Sequence, residues 1–295
     1  MAVEKSWPKQ LEPGPDGDRF FPVPIGAVWY PKAPVEPPRR LIIHFHAGGY
    51  VTFGPRPADG ASWGCNRFSE YRLSRDKNTT FSAALQDGIT AYVYALEIFK
   101  TPPSQIVLAG ESAGANMILA MLRYIKNENP ALPLPRCALL LSAWVDMSRK
   151  TVDDLPKNRN YNRDYVKYDF LDWGQRAFIP PGWDSNNSYF TSLGNEYQLG
   201  VPVFFSAGTS ELFYDSIIEF PLRLKENGND VEVHETPNSP HIPFALNKEF
   251  DQEEDAALCH ALATKFIERT GERGVKRPGM EYATLKLRFT LRGDP

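Results

Sequence analysis

A chain of 295 residues, 42% of them apolar, is long enough to bury one large core, and its recurrent apolar runs exclude a disordered polypeptide. A net charge of -3 leaves no broad cationic face, which excludes nucleic acid as an expected partner. No apolar stretch approaches bilayer length, the Met1–Lys5 terminus is charged, and Cys65, Cys137 and Cys259 are widely spaced without a metal-ligand pattern. These features predict free thiols and a cytoplasmic protein with no membrane span.

Residues 1–19 are polar and rich in proline and glycine, which predicts a flexible N-terminal segment. Phe20–Tyr30 is broken by Pro22 and Pro24 and makes at best an edge strand. Leu41–His46 reads as a buried strand running into Ala47-Gly48-Gly49-Tyr50. Adjacent glycines at a strand's C-terminal end either let free N–H groups approach a ligand or make an ordinary flexible loop. Thr52–Asn66 has no periodicity, and a short strand is expected around Phe68–Leu73. Phe81–Phe99 carries apolar residues at helical spacing. Ile106–Ala109 forms a strand, Met117, Ile118, Met121, Leu122 and Ile125 mark the helix behind it, and Gly110-Glu111-Ser112-Ala113-Gly114 lies between.

Cys137–Val145 has the unbroken apolar character of a parallel strand buried on both faces. About 147–199 is rich in aromatics, prolines and asparagines and reads as a cap-like insertion of short helices and loops. Val201–Ser206 (strand), Ser216–Asn227 (helix), Asp230–Glu235 (strand), Asn238–Pro243 (loop) and Glu253–Glu268 (helix) complete the pattern. The fold class is therefore α/β, a mainly parallel sheet with helices on both faces, within one domain over 20–270. Ligands bind at the C-terminal strand ends of such sheets, which places Ser112, Gly48-Gly49 and His241 on one rim. The 271–295 tail contains Leu285, Leu287, Phe289 and Leu291 alternating with polar residues, a strand-like pattern beyond the domain.

The chemistry starts at Ser112. A G-x-S-x-G turn between strand and helix lifts the serine hydroxyl clear of the sheet at a positive helix end. The competing reading is a tight turn with a capping serine. A nucleophilic serine needs a base, and of five histidines only His241 sits in a proline-bounded loop after the last strand. His44 and His46 lie on the strand entering the glycine loop, His234 inside a strand and His260 on the last helix. Glu211 and Asp215 both follow the Val201–Ser206 strand and are placed to orient His241; spacing does not choose between them, and either suits a cap on the following helix.

His46-Ala47-Gly48-Gly49, Tyr71-Arg72-Leu73, Phe81–Asp87, Gly110–Gly114, Glu211–Asp215 and Pro240-His241 occur in that order. Together they resemble the hormone-sensitive-lipase-like branch of the α/β-hydrolases (α/β-hydrolase fold-3 carboxylesterases), over roughly residues 40–268. The resemblance implies Ser112 as nucleophile, His241 as base, Glu211 at the acidic triad position of a D-x-L-x-D motif, and an oxyanion hole of Gly48, Gly49 and Ala113 N–H groups. It also implies that His46 shapes the oxyanion loop. The chain departs from the family pattern at Ala47, which replaces a glycine, and is shortened at the N-terminus and between the oxyanion loop and Tyr71-Arg72-Leu73. The expected activity is carboxylester hydrolysis on small short-chain acyl esters, with no cofactor and no metal. The competing expectations are an amidase or formamidase using the same site, and a catalytically impaired binding protein on this fold.

Overall fold

The computed structural model describes residues 25, 27–28, 40–54, 68–69, 71–244 and 251–272. The expected N-terminal segment 1–19, the bulk of the tail and Cys65 lie outside the described residues.

Five strands, β2 (Leu41–Phe45), β4 (Ile106–Glu111), β5 (Cys137–Leu141), β6 (Val203–Gly208) and β7 (Val231–Thr236), run parallel. Two-residue strands β1 (Ala27–Val28) and β3 (Phe68–Ser69) complete the order β1-β3-β2-β4-β5-β6-β7, with β1 antiparallel to β3. All of β4, β5 and β6 is buried, as expected for strands covered on both faces. Their side chains alternate between two apolar layers. Leu108, Leu140, Val203 and Phe205 face α1 (Ala83–Glu97), α2 (Ala113–Asn127) and α5 (Tyr214–Glu226). Val107, Ala109, Leu139 and Phe204 pack instead with Cys259, Ala263 and Phe266 of α6 (Glu253–Glu272).

Register carries this architecture to the site. Phe45 pairs with Gly110, Glu111 with Leu141, Leu141 with Ser206, and Gly208 with Thr236, so these strands end along one line. The chain leaves each of them on the same rim.

Two expected strands are shorter than the apolar pattern predicts. Cys137–Val145 stops being a strand at Leu141, because Ser142 takes a φ of 47° and turns the chain out of the ladder. Trp144 and Val145 are buried all the same, with the Val145 carbonyl accepting from the Ser192 and Leu193 N–H groups at 2.8 and 3.0 Å. An apolar run signals burial, whether as strand or as packed loop. The strand expected around Phe68–Leu73 is only Phe68–Ser69. Beyond it, side-chain bonds take the place of a ladder: Arg72 N–H donates to Asp87 Oδ2 at 2.7 Å and Tyr71 Oη–H to the His46 carbonyl at 2.9 Å. Among the described residues, β2 pairs with β3 through Phe45 opposite Ser69.

Arg72 and Asp87 lock this edge. The guanidinium donates to the carboxylate from Nε at 2.9 Å and Nη2 at 2.8 Å, and Asp87 is fully buried. Burial pushes the Asp87 carboxyl up, and the Arg72 bonds pull against that shift. Removing Arg72 strands the buried Asp87 carboxylate. Arg72→Ala should lower unfolding stability by about 3–5 kcal/mol in chemical denaturation; a loss below about 1 kcal/mol would mean the pair does not hold this edge.

Candidate active site

Ser112 is the hinge of the β4–α2 turn, with φ 52° and ψ -113°. A non-glycine residue rarely adopts this conformation, and the surroundings hold it there. Its N–H donates to the Leu141 carbonyl at 2.9 Å, and its carbonyl accepts from Trp144 N–H at 3.2 Å and Asn116 N–H at 3.1 Å. The side chain makes no capping bond to α2, so the capping reading is not what the hydroxyl does here. The flanking glycines are needed for close approach. A Cβ on Gly110 would lie 2.6 Å from the Gly114 carbonyl carbon, and one on Gly114 would lie 2.2 Å from the Phe45 carbonyl oxygen.

Gly48 and Gly49 carry φ values of 117° and 60° in the turn that follows β2. The turn closes on the Gly48 carbonyl, which accepts from Val51 and Thr52 N–H groups at 3.0 Å each and from the Thr52 hydroxyl at 3.1 Å. His46 stacks on Tyr71 at 4.2 Å and carries its Nδ1 2.6 Å from the Ala47 carbonyl, so it braces this loop. Tyr50 Oη–H donates to Asn116 Oδ1 at 2.8 Å, while Asn116 Nδ2 donates to the Trp144 and Phe190 carbonyls at 2.8 and 2.7 Å. One buried amide thus joins the glycine loop, α2, the exit of β5 and the region of 147–199.

That region forms α3 (Arg149–Asp154), a 3-10 turn at Leu155–Lys157 and α4 (Tyr168–Phe178). Helix α4 lies directly on the glycine loop. A Cβ on Gly174 would stand 2.6 Å from the Gly49 carbonyl oxygen, and one on Gly49 would meet the Phe170 ring at 3.2 Å.

His241 and Glu211 come together from loops after β7 and β6. The imidazole Nδ1 and Glu211 Oε2 are 2.8 Å apart, with both side chains buried. Glu211 Oε1 accepts the Gly208 N–H at 2.9 Å. Ser142 Oγ accepts the Ile242 N–H at 3.0 Å. Ser112 is therefore bonded to Leu141, and Ile242, the residue after His241, to the adjacent Ser142. Asp215 is not part of this group; it lies exposed in the first turn of α5, 2.5 Å from Arg159 Nη2.

Burial opposes the charged imidazolium of His241. The Glu211 hydrogen bond and the negative charges of Glu211, Asp164 and Glu111 outweigh it, and His241 sits above its ordinary value of 6.5. Burial pushes the Glu211 carboxyl up, against the bond and charge of His241. The sequence reading missed Asp164, Ser142 and Asn116. Only Asn116 left a local trace, as an amide on a buried helix turn that has to find partners. Among the described residues, no group of three or more His, Cys, Asp or Glu side chains is arranged to hold a metal ion, and no helix is long and apolar enough to cross a membrane.

A profile of the alpha/beta hydrolase fold matches residues 42–245. An acetyl-hydrolase of Streptomyces hygroscopicus is 31% identical over 217 residues, covering 71% of this chain and 70% of the relative. A human arylacetamide deacetylase-like 2 is 29% identical over 124 residues, covering 37% of this chain and 30% of the relative. A crystal structure of an esterase/lipase from an uncultured bacterium superposes with a TM-score of 0.68 at 21% identity, covering 92% of this chain and 87% of that chain.

The tightest contact in the turn supplies its own test. Gly114→Ala places a methyl group against the backbone of β2 with no flexible side chain to yield. It should cost about 1–3 kcal/mol in thermal or chemical unfolding; wild-type stability would contradict the close docking of α2 on β2.

Proposed function

This chain belongs to the alpha/beta hydrolase fold family, and we propose that it is a serine carboxylesterase acting on short-chain acyl esters through Ser112, His241 and Glu211. The observation that carries the reading is the buried His241–Glu211 hydrogen bond at 2.8 Å, tied through Ser142 to the strained turn at Ser112. Ser112 Oγ attacks the ester carbonyl as His241 Nε2 takes its proton. The N–H groups of Gly48, Gly49 and Ala113 receive the developing oxyanion, each donor contributing about 3 kcal/mol. Collapse expels the alcohol, to which His241 returns the proton, and leaves an acyl group on Ser112. Water activated by His241 then releases the acid. Glu211 fixes the tautomer and supports the imidazolium, and the chemistry requires no cofactor.

A short acyl group is favoured by Phe170 and Gly174, which press α4 onto the glycine loop, and by the acetyl-hydrolase among the relatives. The deacetylase-like relative supports a second reading, hydrolysis of a short acyl amide at the same atoms. Both readings treat the 147–199 region as a cap over the substrate.

A fluorophosphonate probe should label the wild-type protein and not Ser112→Ala, and p-nitrophenyl acetate turnover should fall to background in that variant. Probe-resistant wild-type protein that is folded and inert would instead identify a binding protein. Glu211→Gln should reduce kcat by about 10⁴-fold, with Asp215→Asn within about threefold of wild type; equal losses would remove the basis for choosing Glu211. The base acts in its neutral form, so kcat/KM should rise with pH through an apparent pKa above 6.5. A limb below that value would contradict the electrostatic account of His241.

A further inference from the structure

Asp164 lies in the loop between the 3-10 turn and α4, and its side chain is buried. Its Oδ2 accepts the Leu212 N–H at 2.7 Å, and its Oδ1 accepts the Val166 N–H at 3.2 Å and the His241 N–H at 3.3 Å. One carboxylate thus grips both loops that deliver the acid and the base. Its neighbours grip only the acid loop. Asn160 Nδ2 donates to the Glu211 and Thr209 carbonyls at 2.9 and 3.1 Å, and Asn158 Nδ2 to the Leu212 carbonyl at 3.2 Å.

The partners of the Asp164 carboxylate are backbone amides. The nearby Lys167 ammonium donates to the carbonyls of Tyr161 and Asp164, at 2.6 and 2.7 Å, rather than to the carboxylate. A buried anion held by neutral donors keeps its net charge, and that charge stabilises a cation that forms beside it.

We propose that Asp164 is a positioning residue for hydrolysis: it pins the base loop to the acid loop and holds a second negative charge beside His241. The proposal rests on His241 being the base. Its consequence is that the 147–199 region, through Asp164, helps to set the place and charge of the imidazole. The two carboxylates divide the work. Glu211 holds the ring through Nδ1, whereas Asp164 holds the backbone of the same residue from the insertion side.

Other groups also face the imidazole. Glu111 lies at the end of β4 with His44 Nε2 3.6 Å from its Oε1, and the Tyr165 ring stands 6.3 Å from the His241 ring. Burial pushes the Tyr165 phenol up, which keeps it neutral. The Phe213 ring stands 5.1 Å from the His241 ring, edge to face, and adds no charge. The formal charges around His241 are thus Glu211, Asp164 and Glu111, and their fields all favour the imidazolium. Removing Asp164's charge therefore makes His241 titrate at lower pH.

The test follows the His241 ring resonances by NMR against pH, assigned with His241→Asn, in wild type, Asp164→Asn, Asp164→Ser and Asn160→Ala. It is paired with kcat and KM on p-nitrophenyl acetate. In both Asp164 variants His241 should titrate at lower pH, the acid limb of kcat/KM should move with it, and kcat should fall by about 10²-fold with KM little changed. Asn160→Ala cuts two bonds of the same loop without removing a charge, and should leave the titration in place. A folded Asp164→Asn protein with wild-type titration would overturn the proposal. So would an equal shift in Asn160→Ala, or failure of both Asp164 variants to fold, which would make the residue a strut. A wild-type protein without hydrolase activity whose imidazole still responds to Asp164 would end the esterase reading but leave the charge relation standing.

Discussion

A carboxylate removed from water has to be met by hydrogen bonds or an opposite charge, since desolvating a bare ion costs several kcal/mol. In this fold that requirement falls on Glu211, whose side chain is completely buried. Its oxygens are met by the Gly208 N–H from its own loop and by His241 from the loop after β7. Two loops are drawn to one anion. On the exit of β5, Ser142 Oγ accepts the Ile242 N–H, which holds the His241 loop against the sheet rim.

The other side of the site rests on steric closeness. The turn at Ser112 keeps an unfavourable φ because Gly110 and Gly114 let α2 sit against β4 and β2 without a Cβ between them. The glycine loop is held on its far side by α4 and from below by Tyr50 and Asn116. Backbone N–H groups fixed by such packing need little reorganisation when charge develops before them, which is the physical basis of oxyanion stabilisation. The 147–199 region is therefore joined to this rim from two directions, through α4 on the glycine loop and through Asp164 on the loops that carry Glu211 and His241.

Much of this was legible in the chain. Apolar runs at β2, β4, β5 and β6 announced a parallel sheet, because strands covered on both faces have no polar side to show. The turn at Ser112 was readable because its glycines answer a local steric demand. What escaped depends on contacts with no local signature. Glu211 and Asp215 are four residues apart in one stretch, and only the path of the chain turns one inward and leaves the other with Arg159 on the surface. Asp164 meets the His241 backbone across 77 residues of sequence, and no spacing rule links the two. Residues 143–145 looked like strand because burial, which their composition does report, is shared by strands and packed loops.

The proposed hydrolysis turns on Ser112 carrying an acyl group during turnover. Acid-quenched mass spectrometry, taken within the first turnovers of p-nitrophenyl acetate, reads that directly. An acetyl group confined to the peptide that contains Ser112, and absent from the Ser112→Ala protein, is the predicted result. Ester cleavage at full rate with the Ser112 peptide unmodified, or with acetyl on another residue, would contradict it.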